Sequence, residues 1–392
     1  MNAKPALFWP SAGLESQKWD AAPEYASRRA RLAARGPFQS AVPPLIARQI
    51  LTLDSELSAE LEHATGELIR FDAMQGLSAP LSSILLRSES ASSSEVENLT
   101  ASAKQIALAE IQNKPTPNAA LIVDNASAMR AAVSLEASAA PEAVLGMHRA
   151  LLERSRPDIA GVYRTRPVWI GGLSPHTAVF VGPDHRRISE LMTDLDAFIN
   201  RFDLPRLAQI AIAHAQFETI HPFEDGNGRT GRALVQVLLR KYGLATQSTI
   251  PVSAGLLSKV SNYFEALNQY RSGDVRPILE AFVLASLKAV DLGTELVNEI
   301  TEANELHSQL CTDREGSVAR RLIPLLSQHP ALDGSLVQEL LGVSQPSALA
   351  GLTRLSEQGI LLPANDKKRS RIWVAPRILE ALDVFAAKAR RG

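Results

Sequence analysis

Between His221 and Arg232 the sequence HPFEDGNGRTGR brings one histidine, two acids, two arginines and three glycines into a single short stretch. An imidazole has an ordinary pKa of about 6.5 and can take a proton from a hydroxyl near neutral pH, so His221 is the candidate general base. Asp225 offers carboxylate oxygens to a Mg2+ otherwise held by phosphates and water. Gly226, Asn227 and Gly228 lead into RALVQVLLRKYG, which has helical spacing. The N-terminus of that helix would present free N–H groups to an anion, and the glycines let the anion come close. Arg229 and Arg232 are three apart, share a helix face and can clamp oxygens of neighbouring phosphates. Together these groups make a phosphate-transfer site. The plainer alternative is a structural loop whose histidine caps a helix and whose arginines pair with acids, and the joint presence of all these features in one loop argues against it.

The elements that must hold these groups are helical. In PRLAQIAIAHAQFETI the residues Leu207, Ile210, Ala211, His214 and Phe217 recur at helical spacing, which predicts a buried helix over 205–220 that delivers His221 at its end. Pro222 stops it. Arg240, Lys241 and Gly243 mark the end of the second helix. Phe223 is expected to anchor the loop in the core, Gly231 to mark a close helix packing, and His214 to be a core histidine. There is no G-x-x-x-x-G-K-[ST] and no H-E-x-x-H, which argues against a P-loop enzyme or a zinc site.

Upstream, GVYRTRPVWIGGLSPHTAVFVGP over 161–183 reads as a β-hairpin around a Gly/Ser/Pro tip. The segment to about residue 45, with GPFQSAVPPLI, reads as irregular chain. Helical patterns run from Ala47, with SESASSS at 88–94 expected to be a solvated linker, and from Leu99 to Ala137 with a break at NKPTPN. Near the C-terminus, SVARRLIPLLSQHP, SLVQELLGV and SQPSALAGLTRLSEQG predict three short helices, followed by two strands in ILLPANDKKRSRIWVAP. That is the pattern of a winged helix-turn-helix. Lys367, Lys368, Arg369 and Arg371 on the wing suit phosphate contacts and make DNA one partner; Arg354 is the single basic residue of the recognition helix, and the alternative is a small interaction module.

The chain has 392 residues, 45% of them hydrophobic, and a net charge of −1. This is enough for two or three domains of an ordinary globular protein, and bulk charge selects no partner. The lone Cys311 makes no intramolecular disulfide, the N-terminus has no signal pattern, and no apolar run approaches the roughly 20 residues that span a bilayer, so a cytoplasmic protein without a membrane partner is expected.

HPFEDGNGRTGR resembles the Fic family signature H-P-F-x-[D/E]-G-N-G-R-x-x-R at every specified position. GVYRTRPVWIGG resembles the family's flap, NYFEAL with Tyr263 its adenine-pocket helix, and a winged helix is a common C-terminal companion. The resemblance implies a mainly α fold, a Fic-type helical bundle with a β-hairpin flap, plus the winged helix-turn-helix. The expected division is an N-terminal helical region at 1–110, a catalytic core at 111–300 and the winged helix at 310–392. It also implies transfer of AMP from ATP to a Ser, Thr or Tyr hydroxyl of a target protein, with ATP and Mg2+ required. His221 would deprotonate the hydroxyl, Asp225 would hold the metal, and Gly226, Asn227, Gly228, Arg229, Thr230, Gly231 and Arg232, with Tyr263, would bind the nucleotide. Val168, Trp169, Ile170 and Gly171 of the flap would dock the target as an added strand. Relatives that transfer a phosphoryl group carry Lys at the position of Gly228, so the glycine favours AMP transfer. A nucleotide-sensing transcriptional regulator and removal of AMP are the other readings, and the oligomeric state is open.

Last, SSSEVEN at 92–98 resembles the family's inhibitory motif [S/T]-x-x-x-E-[G/N], with Ser93, Glu97 and Asn98 in the motif positions. The resemblance implies that Glu97 pairs with Arg232 and keeps it from the γ-phosphate, so that the isolated protein restrains itself.

Overall fold

The structure is a computed structural model that describes residues 6–19, 36–75, 79–111, 115–134, 139–364 and 371–391. In chain order the elements are β1 (Gly13–Gln17), β2 (Phe38–Val42), α1 (Ser55–Gln75), α2 (Ala79–Glu95), α3 (Ala103–Ala109), α4 (Pro117–Ser134), α5 (Pro141–Leu152), β3 (Trp169–Ile170) and β4 (Phe180–Val181). There follow α6 (Ile188–Ile199), α7 (Arg206–Ile220), α8 (Asn227–Lys241), α9 (Val252–Leu257), α10 (Val260–Ser272) and α11 (Arg276–Leu310). The last are α12 (Val318–Leu322), β5 (Ala331–Asp333), α13 (Gly334–Leu341), α14 (Gln345–Glu357), β6 (Leu362–Pro363), β7 (Ile372–Val374) and α15 (Pro376–Arg391). Among the described residues no helix is long and apolar enough to cross a membrane. The chain divides into two compact units, one of Met1–Gly66, Ala128–Gly243 and Lys259–Leu284, the other of Glu67–Ser127, Leu244–Ser258 and Ala285–Gly392.

In the first unit α7 is the centre, buried from Leu207 to Ile220 and packed against α6, α8 and α10. Burial on all sides explains why its sequence is largely apolar or small, and its buried Gln209, His214 and Gln216 are hydrogen-bonded. The close approach of α8 depends on Gly231, where a Cβ would meet Glu218 Oε1 at 2.7 Å and Phe217 Cδ1 at 3.0 Å. The N-terminal segment is not irregular, as its Pro-rich sequence suggests: β1 and β2 pair antiparallel, with Gly13 opposite Val42 and Gln17 opposite Phe38. Phe38 and Ser40 alternate inward against an exposed Gln39, the period-two pattern of a half-buried strand. Trp19 just beyond β1 meets Phe38 and the flap's Trp169 edge to face, at ring separations of 5.8 and 5.9 Å. The hairpin therefore braces the flap.

In the second unit α9 and α15 pack on α2. Here the serine-rich stretch corrects the linker expectation. SESASSS lies within α2, and Ser88, Glu89, Ser90, Ser92, Ser93 and Ser94 are all buried. Small side chains let neighbouring helices come close, and two of the hydroxyls bond the helix itself: Ser90 Oγ donates to Leu86 O (2.8 Å) and Ser94 Oγ to Ser90 O (3.0 Å). Glu89 accepts from the N–H and the hydroxyl of Ser253 at the start of α9, at 2.9 and 2.6 Å.

The C-terminal part of this unit runs helix, strand, two helices and two strands, with an antiparallel sheet in the order β5, β7, β6. Asp333 caps α13, Gly342 ends it at φ 65°, and Ser344 caps α14. Arg354 on α14 is paired with Asp313 (3.2 Å) and Glu357 (3.4 Å). Lys367, Lys368 and Arg369 lie outside the described residues. The terminal helix α15, which follows the expected wing, packs on α2, α3 and α9.

Candidate functional site: the His221 loop and its flap

His221 caps α7 with left-handed backbone angles, φ 50° and ψ 60°. Among the described residues only Asn98 is another non-glycine with positive φ. A non-glycine in this region is uncommon and persists where the surroundings over-determine it. The effect is to turn the chain sharply after the helix while the cap N–H still bonds Phe217 O at 2.9 Å. The imidazole is nearly buried, and its Nδ1 lies 3.9 Å from Glu218 Oε2. Burial, then the cations of Arg271 and Arg164, push its pKa down to about 3 against a hydrogen bond that the ring donates to the Glu218 main chain. It is neutral at pH 7, the state a proton acceptor needs.

The loop is closed by groups that bind each other. Phe223 is fully buried and stacks on His148 at 3.7 Å with the rings 4° from parallel. Asn227 brackets the same residue: Phe223 N–H donates to Asn227 Oδ1 (2.8 Å) and Asn227 Nδ2 to Phe223 O (2.9 Å). Its side chain, expected on a phosphate, makes both of these bonds within the loop. His148 on α5 takes part in the same closure. Gly161 N–H donates to its Nδ1 (2.9 Å), so the ring proton sits on Nε2, which donates to Asp225 O (3.0 Å). Burial holds this imidazole neutral, its pKa pushed down to about 4.

Gly226 is the N-cap of α8 at φ 75°, and a Cβ there would meet Leu151 Cδ2 at 2.9 Å. Only glycine fits both the backbone and the space. No side chain caps the N-terminus of α8 from the N-cap position. Asp225 is 53% exposed and folds back on this end, accepting from Gly226 N–H (2.6 Å) with Arg229 Nη2 at 3.6 Å. The helix start and Arg229 thus already attract an anion, here the loop's own carboxylate. Arg229 and Arg232 are buried in the first turns of α8. Gly228 is partly exposed at the head of the helix.

Thr230, Gly231 and Tyr263 are enclosed among the helices. Thr230 and Gly231 are buried, Gly231 against α7. Tyr263 is buried with its hydroxyl 2.7 Å from His214 Nε2, while His214 Nδ1 faces Gly231 O at 3.1 Å. A ring nitrogen facing a carbonyl must donate, so Nε2 accepts and the tyrosine donates. Side chains used this way hold α7, α8 and α10 together.

The flap is the two-residue pairing of β3 and β4, Trp169 opposite Val181 and Ile170 opposite Phe180. Val179 N–H donates to Ile170 O (2.9 Å) and Gly182 N–H to Val168 O (3.0 Å). The tip needs Gly172 at φ 71°, where a Cβ would meet Thr177 O at 2.4 Å. Among the described residues β3 pairs with β4 alone, so no described strand occupies its other edge. Arg271 from α10 lies over the Phe180 ring at 3.8 Å and donates to Glu218 O at 3.2 Å. A Cβ on Gly182 would sit 3.6 Å from His221 Cβ, so His221 lies directly under the flap root.

Residues 138–239, which hold this loop, the flap and the helices around them, match the model of the Fic/DOC family. Over these residues the chain is similar to the Fic/DOC family. Over 188 residues, 47% of the chain and 36% of the relative, it is 28% identical to the protein adenylyltransferase Fic of Drosophila virilis. Over 139 residues, 35% of the chain and 25% of the relative, it is 30% identical to the protein adenylyltransferase fic-1 of Caenorhabditis elegans. The match spans about a third or less of the length of these curated relatives. A Fic family protein from Desulfovibrio desulfuricans shares the fold, with a TM-score of 0.54, 24% identity and coverage of 83% of this chain and 97% of that one.

The inhibitory-pattern residues belong to the second unit and are described within it. Ser93 is fully buried in α2, Glu97 is half-buried in the turn after it, and Asn98 takes φ 62°. Leu99 N–H returns to Ser94 O at 3.1 Å, closing the helix end. A left-handed stop explains why Gly or Asn follows the glutamate in the pattern.

Sequence reading passed over His148 and Arg164. A signal existed for the first: His148 falls on the apolar face that Val144, Met147 and Leu151 define, where a polar residue needs a partner.

Proposed function

We propose that the chain is a protein adenylyltransferase that moves AMP from ATP onto a Ser, Thr or Tyr hydroxyl of a target protein. The observation that carries this reading is His221, a neutral imidazole in constrained backbone geometry, under the flap root and beside the glycine-rich head of α8. The names of the curated relatives support the same chemistry. A target segment added to the other edge of β3 would be held by main-chain bonds that bring its hydroxyl to the imidazole. His221 takes the hydroxyl proton and the oxygen bonds to the α-phosphorus. The bond from that phosphorus to the bridging oxygen breaks, and pyrophosphate leaves with the electron pair. The main-chain N–H groups at the head of α8 and the guanidinium groups of Arg229 and Arg232 hold the triphosphate.

The residues present fit Mg2+ in the way this chemistry uses it. Asp225 is a half-exposed carboxylate at the anion-attracting helix end, and no cluster of three His, Cys, Asp or Glu stands among the described residues, so the ion's other ligands would be phosphates and water. Bound there, Mg2+ would neutralise triphosphate charge.

Two further parts belong to the proposal. Glu97 restrains transfer, which the SSSEVEN pattern and the left-handed Asn98 support. The helices and strands from α12 to β7 act as a winged helix; the pairing of Arg354 leaves Lys367, Lys368, Arg369 and Arg371 as the groups on which DNA binding would rest.

The test is incubation with a cell lysate and ATP labelled at the α- or the γ-phosphate, for the natural chain and its Glu97→Gly variant. Protein label from the α position alone is expected. Label from the γ position would assign phosphoryl transfer, and no label from either chain would overturn the proposal.

A further inference from the structure

Arg164 lies outside every motif, yet it is 3% exposed and makes four hydrogen bonds to main-chain carbonyls. Its Nε donates to His221 O (2.8 Å), Nη1 to Arg166 O (3.0 Å) and Nη2 to Pro183 O (2.7 Å). Its own N–H donates to Pro222 O (3.0 Å). These carbonyls come from three separate places. His221 is the left-handed cap of α7, Arg166 precedes β3, and Pro183 follows β4. Gly182 makes the room, since a Cβ there would stand 3.0 Å from Nη2.

A planar guanidinium presents its donors in a fixed fork, so the three carbonyls it binds are fixed relative to one another. One of them belongs to the residue whose backbone is least at ease. Left-handed geometry is strained for a non-glycine residue, and a bond to the carbonyl of that residue helps hold it there. The other two are the roots of the flap strands.

We infer that Arg164 is a positioning residue that locks the catalytic histidine and the two flap roots into one frame, so that a hydroxyl docked on the flap arrives in line with the base. The inference rests on the reading above that the flap holds the target and His221 takes its proton. A lysine can reach one of these carbonyls but cannot hold three in a plane. The frame then loosens while the charge near the imidazole stays.

The test uses the full chain with Arg164→Lys, and Gly182→Ala as a second variant that pushes on Nη2 without removing the cation. In a Glu97→Gly background, kcat for AMP transfer is expected to fall roughly tenfold to a hundredfold, the size of loss that a misplacement of about 1 Å produces. KM for ATP should stay within about twofold, because neither residue touches the triphosphate. Amide exchange at Val179 and Gly182 should quicken in both variants, and the imidazole resonances of His221 should shift. Exchange and resonances need no catalysis, so they decide the inference even if the unsubstituted chain transfers nothing, in which case the adenylyltransferase reading fails by itself. Unchanged exchange and unchanged resonances in both variants would overturn the role of Arg164, as would a loss confined to KM for ATP.

Discussion

At the scale of the residue, His221 does two jobs that substitution can separate. It ends α7 in left-handed geometry and, in the proposed reaction, it presents the base. Asparagine tolerates that geometry better than alanine does, and it cannot accept the proton at neutral pH as imidazole can. His221→Asn is expected to keep the melting temperature of the natural chain, and His221→Ala to lower it by a few degrees, the shift that about 1 kcal/mol produces. Both should lose at least a hundredfold in α-label transfer while binding ATP almost unchanged, since a general base contributes about 10²–10⁴-fold. Transfer that survives in the asparagine variant would remove His221 from the mechanism. Asp225→Ala should instead weaken ATP binding in proportion to Mg2+; overlaid Mg2+ titrations would show that Asp225 is not the ligand.

At the scale of the element, the site depends on how closely α8 can lie on α7. Gly231 makes that contact, with three atoms of α7 side chains within 3.3 Å of where a Cβ would be. Two of them are aromatic ring atoms of Phe217 and His214, held in the core, and cannot turn aside as the Glu218 carboxylate can. Gly231→Ala therefore overpacks the seam despite the better helix propensity of alanine, and should cost about 1–3 kcal/mol in denaturant unfolding. A more stable variant would mean that the helices separate freely. The turn after α2 is the other element with a functional reading. Glu97→Gly is expected to raise self-labelling and target labelling at matched ATP and Mg2+, and Ser93→Ala to raise it less. Equal rates for the natural chain and Glu97→Gly would remove the restraint from the proposal.

At the scale of the whole molecule, His148, His214 and His221 are among the histidines that burial holds neutral. Burial pushes His148 down to about 4, with the Arg229 charge adding to this and the Asp225 carbonyl and carboxylate opposing it. Burial and the Arg232 charge push His214 down to about 3 against its bond to Gly231. His221 follows them, beside Arg271, Arg164 and Glu218. The unfolded chain takes up these protons below about pH 6.5 and the folded chain resists them. Their contribution is therefore complete above about 6.5 and is lost as pH falls toward 4 for His148 and 3 for the other two, at about 1.4 kcal/mol per pH unit for each. Unfolding by urea at pH 7.5 and 5.5 should show a marked loss at the lower pH, and His148→Gln should make that loss smaller. Equal stability at the two values would contradict burial of neutral rings.

The loop chemistry was legible because it is local. The base, the glycines and the guanidinium groups lie within twelve residues, and helical periodicity on either side is enough to place them at a helix end and a helix start. What each polar side chain would bind was not legible. Asn227 can serve a phosphate or its own loop, and only the fold closes it on Phe223. His148 and Arg164 meet their carbonyls across 77 and 57 residues, distances at which sequence carries no spacing rule. The serine run reads as linker by composition and is buried in α2, because small hydroxyl side chains bond their own helix once other helices cover them. Local sequence sets which groups are near the reaction. Tertiary contact decides which of them remain available to it, since a buried polar atom must take the partner that the fold brings within reach.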